Sequence, residues 1–219
     1  MSSELSHTTK QKIFDLIGGK TTIEEFEQWV YNTEELKEEI GDDDHLELIS
    51  FNYKKNGAKY ELLDFLKEKI DLAEYETHKI RGMLSDALDK NEHLPHILSE
   101  FYDLYCRGYK FLSDLGVGFG LSIECPPGYY DSTWEQLPKE IQDKILSEFY
   151  PLLDECLREA IDWIDSGKVV LTGESERVKD YNSNYIDNRT SEEKISKVFK
   201  EDKNSKIFKE VKKKWWKFW

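Results

Sequence analysis

Apolar residues recur every three to four positions along most of this chain, and that period predicts a mainly helical protein. Ile13, Leu16 and Ile17 mark a first helix over 10–17 that stops at Gly18-Gly19, where glycine can adopt the left-handed conformation that closes a helix. Thr22 and Glu25 form a capping box, and Ile23, Phe26, Trp29 and Val30 give the next helix one apolar face. Asn32 or Thr33 is read as the cap of a short third helix ending at Gly41. Residues 46–53 are ambiguous: Leu46, Ile49 and Tyr53 fit a helix, whereas Leu46, Leu48, Phe51 and Tyr53 partly fit a strand. Helix is favoured, because Leu62, Phe65, Leu66 and Ile70 are helical in spacing and leave no second strand for a hairpin.

Asp71 with Glu74 opens a helix running to about Leu88. Ile97, Leu98, Phe101, Tyr105, Leu112 and Leu115 predict one long helix ended by Gly116, then an irregular stretch over 116–132 containing Pro126-Pro127-Gly128. Ser132 and Glu135 read as another capping box, and Ile141, Ile145, Phe149, Leu153, Leu157, Ile161 and Ile164 keep a four-residue spacing. Pro151 falls inside that register, so either one helix kinks there or a second begins with it. Asp154, Arg158 and Asp162 lie opposite the stripe as a solvated ladder. Only Lys168 to Thr172 reads as a strand, with a partner around Asn184-Tyr185-Ile186. The expected fold is all-α: a mainly helical, bundle-like body with at most a small β-ribbon near residues 168–186.

Charge divides the chain more sharply than hydropathy does. The net charge is −14, yet residues 193–219 hold ten lysines against four acids, +6, while the rest carries 21 basic and 41 acidic groups, −20. We therefore read residues 1–189 as an acidic helical domain and 190–219 as a basic, aromatic-rich helical segment capped by Thr190 and Glu193. The body would repel nucleic acid and anionic lipid, and the tail would attract both. The polar start argues against a signal peptide, and no run reaches the roughly 20 apolar residues that cross a bilayer. Cys106, Cys125 and Cys156 have no close pair and read as buried free thiols of a reducing, cytoplasmic compartment.

Motifs with chemistry are scarce. His93-Leu94-Pro95-His96 is the one close histidine pair; no Cys or carboxylate cluster completes a metal site, and Pro95 is read as breaking the helix such pairs need. Glu74 and His78 read as a surface pair. Leu115-Gly116-Val117-Gly118-Phe119-Gly120 lacks the strand, spacing and following helix of a phosphate loop, so it is read as a helix stop and turn. No catalytic residue, cofactor site or metal site is assigned. Two features remain. One is the acidic run over 34–47, eight acids in fourteen residues, whose Glu38, Glu39, Asp42, Asp43, Asp44 and Glu47 are candidate contacts for a basic protein partner. The other is the ending Lys212 to Trp219. There Phe208, Val211, Trp215 and Trp219 share a helical face, which predicts a segment folded back on the body with Trp215 buried. Lys213, Lys214, Trp216 and Phe218 are the candidate tail contact with a membrane interface or a nucleic acid.

The segment Thr22-Ile23-Glu24-Glu25-Phe26-Glu27-Gln28-Trp29-Val30-Tyr31, with Leu46-Glu47-Leu48-Ile49-Ser50-Phe51 after it, resembles the opening of small helical immunity proteins of bacterial toxin–immunity loci. The likeness covers about a quarter of the chain and rests on apolar and aromatic positions. It implies a cytoplasmic, non-enzymatic inhibitor that binds and neutralises one cognate toxin. The competing expectations are a peripheral membrane or phage–host interaction protein acting through the tail, and an enzyme whose residues assemble only in three dimensions around Cys125 to Trp134.

Overall fold

The computed structural model describes residues 5–174 and 184–198. Among them are ten α-helices and one two-stranded antiparallel ribbon, so the fold is all-α with a small β-ribbon. The chain forms two compact units, Met1–Lys79 and Ile80–Trp219. The division falls inside helix α6 (Leu72–Leu88), within the 1–189 stretch that the charge pattern treats as one domain. A continuous helical period carries no sign of such a boundary.

In the N-terminal unit, α1 (His7–Ile17) starts earlier than its apolar spacing indicates, because the Ser6 hydroxyl caps it by accepting from Thr9 N–H at 3.2 Å. Gly19 supplies the left-handed turn, φ 75°, that separates it from α2 (Ile23–Asn32). The capping box at α2 forms as expected: Glu25 N–H donates to Thr22 Oγ1 at 3.2 Å and Thr22 N–H donates to Glu25 Oε2 at 2.8 Å. Neither Asn32 nor Thr33 caps α3 (Leu36–Ile40); their side chains bond back to the Gln28 and Trp29 carbonyls of α2 instead. Residues 42–50 are helical (α4, Asp42–Ser50), followed by α5 (Ala58–Lys67). Phe26, Val30, Leu36, Leu48, Tyr53, Leu62 and Leu66 make the core, with Ile13 and Leu16 from α1. The buried Tyr53 hydroxyl donates to the Leu48 carbonyl at 2.9 Å.

The C-terminal unit is built on α7 (Leu94–Cys106). Pro95 does not break this helix but opens it, since a first-turn residue has no intrahelical N–H bond to lose. The long helix expected through Leu115 ends at Cys106, where Gly108 turns the chain at φ 103°. A 3₁₀ turn (Lys110–Leu112) leads into a π-helix over Asp114–Gly120, then α8 (Leu121–Glu124). The glycine run is therefore a buried helix, not a stop. A Cβ at Gly116 would lie 2.7 Å from the Phe101 carbonyl oxygen, one at Gly120 would collide with the Leu98 carbonyl, and one at Gly118 would lie 2.9 Å from Val198 Cγ2. Glycine is required because two backbones meet there.

The expected Ser132–Glu135 box is displaced by one residue: Thr133 and Gln136 form it, over the 3₁₀ turn Trp134–Gln136. At Pro151 the stripe divides into α9 (Lys139–Phe149) and α10 (Leu152–Asp165), and Leu153, Leu157 and Ile164 stay buried in register. Strand β1 (Val169–Leu171) pairs with β2 (Tyr185–Asp187), placing Val170 opposite Ile186.

Replacing Gly120 by alanine should destabilise the protein by about 1–3 kcal/mol through overpacking. Replacing Gly82, whose Cβ direction within α6 is open, should be neutral or stabilise by up to about 1 kcal/mol. Denaturant unfolding of the two variants beside wild type checks both signs.

Candidate functional site

Asp42, Asp43 and Asp44 occupy the first turn of α4, where their charges meet the positive end of the helix dipole. Gly41, at φ 90°, precedes them and offers no side-chain cap. The acidic run is not one uniform patch. Glu39 is half-buried and accepts Ser6 N–H at 2.9 Å, at the start of α1. Burial pushes the Glu39 carboxyl up, and hydrogen bonds from Ser6 and Thr9 outweigh it, leaving it below the ordinary carboxylate range. Asp44 is also half-buried and pairs with Lys69 at 2.7 Å. These two acids hold the unit together, so two of the six candidate contacts are taken up within the fold. Glu38, Asp42, Asp43 and Glu47 do lie exposed; Asp42 reaches Lys37 at 3.2 Å, an exposed pair of small energetic worth.

Beside these acids stands an apolar group that the helical pattern did not reveal. Leu46 and Ile49 were expected to share a face with Tyr53, yet Leu48 and Tyr53 are buried while Leu46 is 65% and Ile49 40% exposed. Tyr31, 48% exposed at the end of α2, donates its hydroxyl to the Ile49 carbonyl at 3.3 Å. Leu46 follows Asp42 and Asp43 by one helical turn and precedes Ile49 by another, so two acids at the start of α4 are followed on the same side by two exposed apolar residues. Exposed Leu46, Ile49 and Tyr31 thus stand on the same unit as exposed Asp42, Asp43 and Glu47 of α4.

A second feature lies in the C-terminal unit. A cleft of about 390 Å³ opens beside the start of α7, with His96 and Ser99 on one wall and Ile123, Glu124, Trp134 and Glu135 on the other. The Ser99 hydroxyl donates to Glu124, and His96 Nε2 lies 3.3 Å from Glu100. The sequence pointed at Cys125 to Trp134, next to an irregular stretch, as one place where residues could assemble in three dimensions; the wall from α7 comes from thirty residues earlier and left no local signal.

The other candidates resolve as follows. Glu74 pairs with Lys10 at 2.8 Å, and His78 packs its ring on Phe14 at 5.3 Å, so the two are not the surface pair expected from spacing. Burial lowers the His78 pKa, with Lys20 adding to the effect. Among the described residues no group of three His, Cys, Asp or Glu is placed to hold a metal ion, and no helix is long and apolar enough to cross a membrane. Thr190 and Glu193 do form their reciprocal bonds, at 3.3 and 2.9 Å, but over a turn and not a helix. Lys168, with Thr190, holds the Glu193 carboxyl down to about 2. Beyond it, Lys197 N–H donates to Asp114 Oδ2 at 2.8 Å, the Lys197 ammonium reaches Glu155 at 2.6 Å, and Val198 is buried. Lys213, Lys214, Trp216 and Phe218, and the stripe Phe208, Val211, Trp215 and Trp219, lie outside the described residues. Comparisons with protein-family models, with curated proteins and with solved structures find no match.

The cysteines also depart from expectation. Cys156 is buried, but Cys106 and Cys125, at the ends of α7 and α8, are exposed. Burial, with Asp114 nearby, pushes the Cys156 thiol up to about 12. Iodoacetamide at neutral pH should therefore modify two thiols of the native protein and the third only after unfolding, as intact mass will report.

Proposed function

We propose that the chain is a non-enzymatic protein-binding protein, an immunity- or antitoxin-like inhibitor that binds and neutralises a basic cognate toxin. The observation that carries this reading is the outer face of α4, where exposed Leu46 and Ile49, with Tyr31 beside them, lie among exposed Asp42, Asp43 and Glu47. An apolar centre supplies the area that water leaves on binding, and an acidic surround steers a basic partner toward it. The −20 of residues 1–192 works in the same direction at longer range. The resemblance of residues 22–31 and 46–51 to immunity proteins falls on this same α2 and α4 pair.

On this reading a basic toxin is encoded beside the chain, and co-expression of the two should restore growth to cells that the toxin alone poisons. Continued killing, with no complex formed at low salt, would reject the reading. Within a complex, reversing Glu38, Asp43 and Glu47 to lysine should slow association about tenfold at low salt and flatten its salt dependence. Leu46→Ala should act instead on dissociation. Stopped-flow association and dissociation rates separate the two effects; melting should change little in Leu46→Ala, whose side chain is exposed, and fall modestly in the charge-reversed variant, where Asp43 gives up its place at the positive end of the α4 dipole.

A further inference from the structure

Asn56 is followed by Gly57 in the turn between α4 and α5, and the pair combines features found at no other described asparagine. Ala58 N–H donates to the Lys55 carbonyl at 3.1 Å, closing a four-residue turn with Asn56 and Gly57 at its centre. Gly57 sits at φ 79° and ψ 3°, and Asn56 is not left-handed, so the turn is of type II. That type requires a positive φ at its third position, where a residue with a Cβ would be strained. Its second position accepts most residues. The turn therefore fixes the glycine and leaves the asparagine free to vary.

Both residues are exposed. Among the described residues, no protein group bonds the Asn56 side-chain amide or the Gly57 N–H. The other described asparagines are held. Asn32 donates to the Gln28 carbonyl, Asn188 to that of Gly167 and buried Asn184 to that of Arg107. The side-chain oxygens of Asn52 and Asn91 accept from Lys54 and His93 N–H. Each of these five also precedes a residue with a side chain, which shields the next backbone nitrogen.

We propose that Asn56 is a site of spontaneous covalent modification, converted to isoaspartate and aspartate with solvent water as the co-reactant. In the first step Gly57 N–H gives up its proton and the nitrogen bonds to Asn56 Cγ. The bond from Cγ to the amide nitrogen breaks, and that nitrogen leaves with the proton as ammonia. The product is a five-membered succinimide ring. Closing it needs the Asn56–Gly57 peptide to swing toward the side chain, a movement that solvent and the missing Cβ of Gly57 leave unhindered. In the second step water adds to one ring carbonyl, and the bond from that carbonyl to the nitrogen breaks. Breaking it at Cγ gives aspartate. Breaking it at the main-chain carbonyl gives isoaspartate, with the backbone rerouted through the side chain and one methylene longer. Nothing is oxidised or reduced. Either product adds a negative charge before α5, beside Lys54 and Lys55, and isoaspartate also alters the main chain three residues from buried Tyr53. The inference stands apart from the protein-binding reading.

The test incubates the full chain in H₂¹⁸O at mildly alkaline pH, followed by digestion at acid pH and peptide mass spectrometry. The peptide carrying Asn56 should take up one ¹⁸O at least about tenfold faster than those of the other five described asparagines, because glycine leaves the attacking nitrogen open. Isoaspartate should exceed aspartate in that peptide, as electron-transfer fragmentation and methylation by an isoaspartyl methyltransferase will report. Asn56→Gln, shown to melt like wild type, would need a six-membered ring and should leave the same peptide unlabelled over the same time. Labelling of Asn56 no faster than of the other five, aspartate formed without isoaspartate, or equal labelling of the Asn56→Gln peptide overturns the site.

Discussion

The C-terminal unit depends on a backbone-to-backbone contact that only glycine permits. Gly116 and Gly120 lie against the Phe101 and Leu98 carbonyls of α7, so the π-helix runs along α7 with no side chain between them. That approach lets Leu115 and Phe119 reach the core with Leu98 and Phe101, and Phe119 meets Phe149 of α9 at 5.1 Å between ring centroids. It also orients what lies at either end. Asp114, at the start of the π-helix, accepts Ser196 and Lys197, and Gly118 leaves the room that Val198 fills. At the far end, α8 carries Ile123 and Glu124 to the cleft opposite His96 and Ser99. A π-helix is rare and occurs mostly as a single turn within an α-helix. Here the packing gained along α7 supports one.

Charge is the second constraint. Eight acids in fourteen residues would repel one another if all stood in water. The fold answers by giving some of them partners. Three aspartates face the α4 N-terminus, Glu39 takes a backbone N–H from α1, and Asp44 takes Lys69, whose ammonium also lies 4.9 Å over the Phe65 ring. What remains outside is a smaller acidic set placed beside apolar residues, and that division between structural and surface acids follows from helix geometry more than from composition.

How much of this could be read along the chain depended on the range of the contacts. The Thr22–Glu25 and Thr190–Glu193 boxes join residues three apart, and both were legible because the whole interaction fits within one turn. The ribbon at 169–171 and 185–187 was legible from β-branched density between breakers. The glycine run was misread because glycine has two meanings, a turn and a close approach, and the second depends on Leu98 and Phe101 some eighteen residues away. The exposed Leu46 and Ile49 were hidden for a related reason. A helical period reports that a residue shares a face with others, but only the neighbours in space decide whether that face is covered. The cleft joins residues 92–99 with residues 123–135, so no short window along the sequence contains it.

The pairing of apolar exposure with negative charge has a consequence for the free protein. Leu46, Ile49 and Tyr31, left alone on a neutral surface, would favour contact between two copies, since that contact removes apolar area from water. On a chain of net charge −14, and with Asp42, Asp43 and Glu47 around the same face, bringing two copies together sets like charges against each other across a drying interface. Repulsion of that kind grows as water leaves, at the stage where the apolar gain would be realised. A basic surface reverses the sign of that term while leaving the apolar gain intact. The same side chains that oppose self-association would favour a basic partner, and on the proposed reading the acids on α4 would contribute to specificity through the complexes they prevent as well as those they attract.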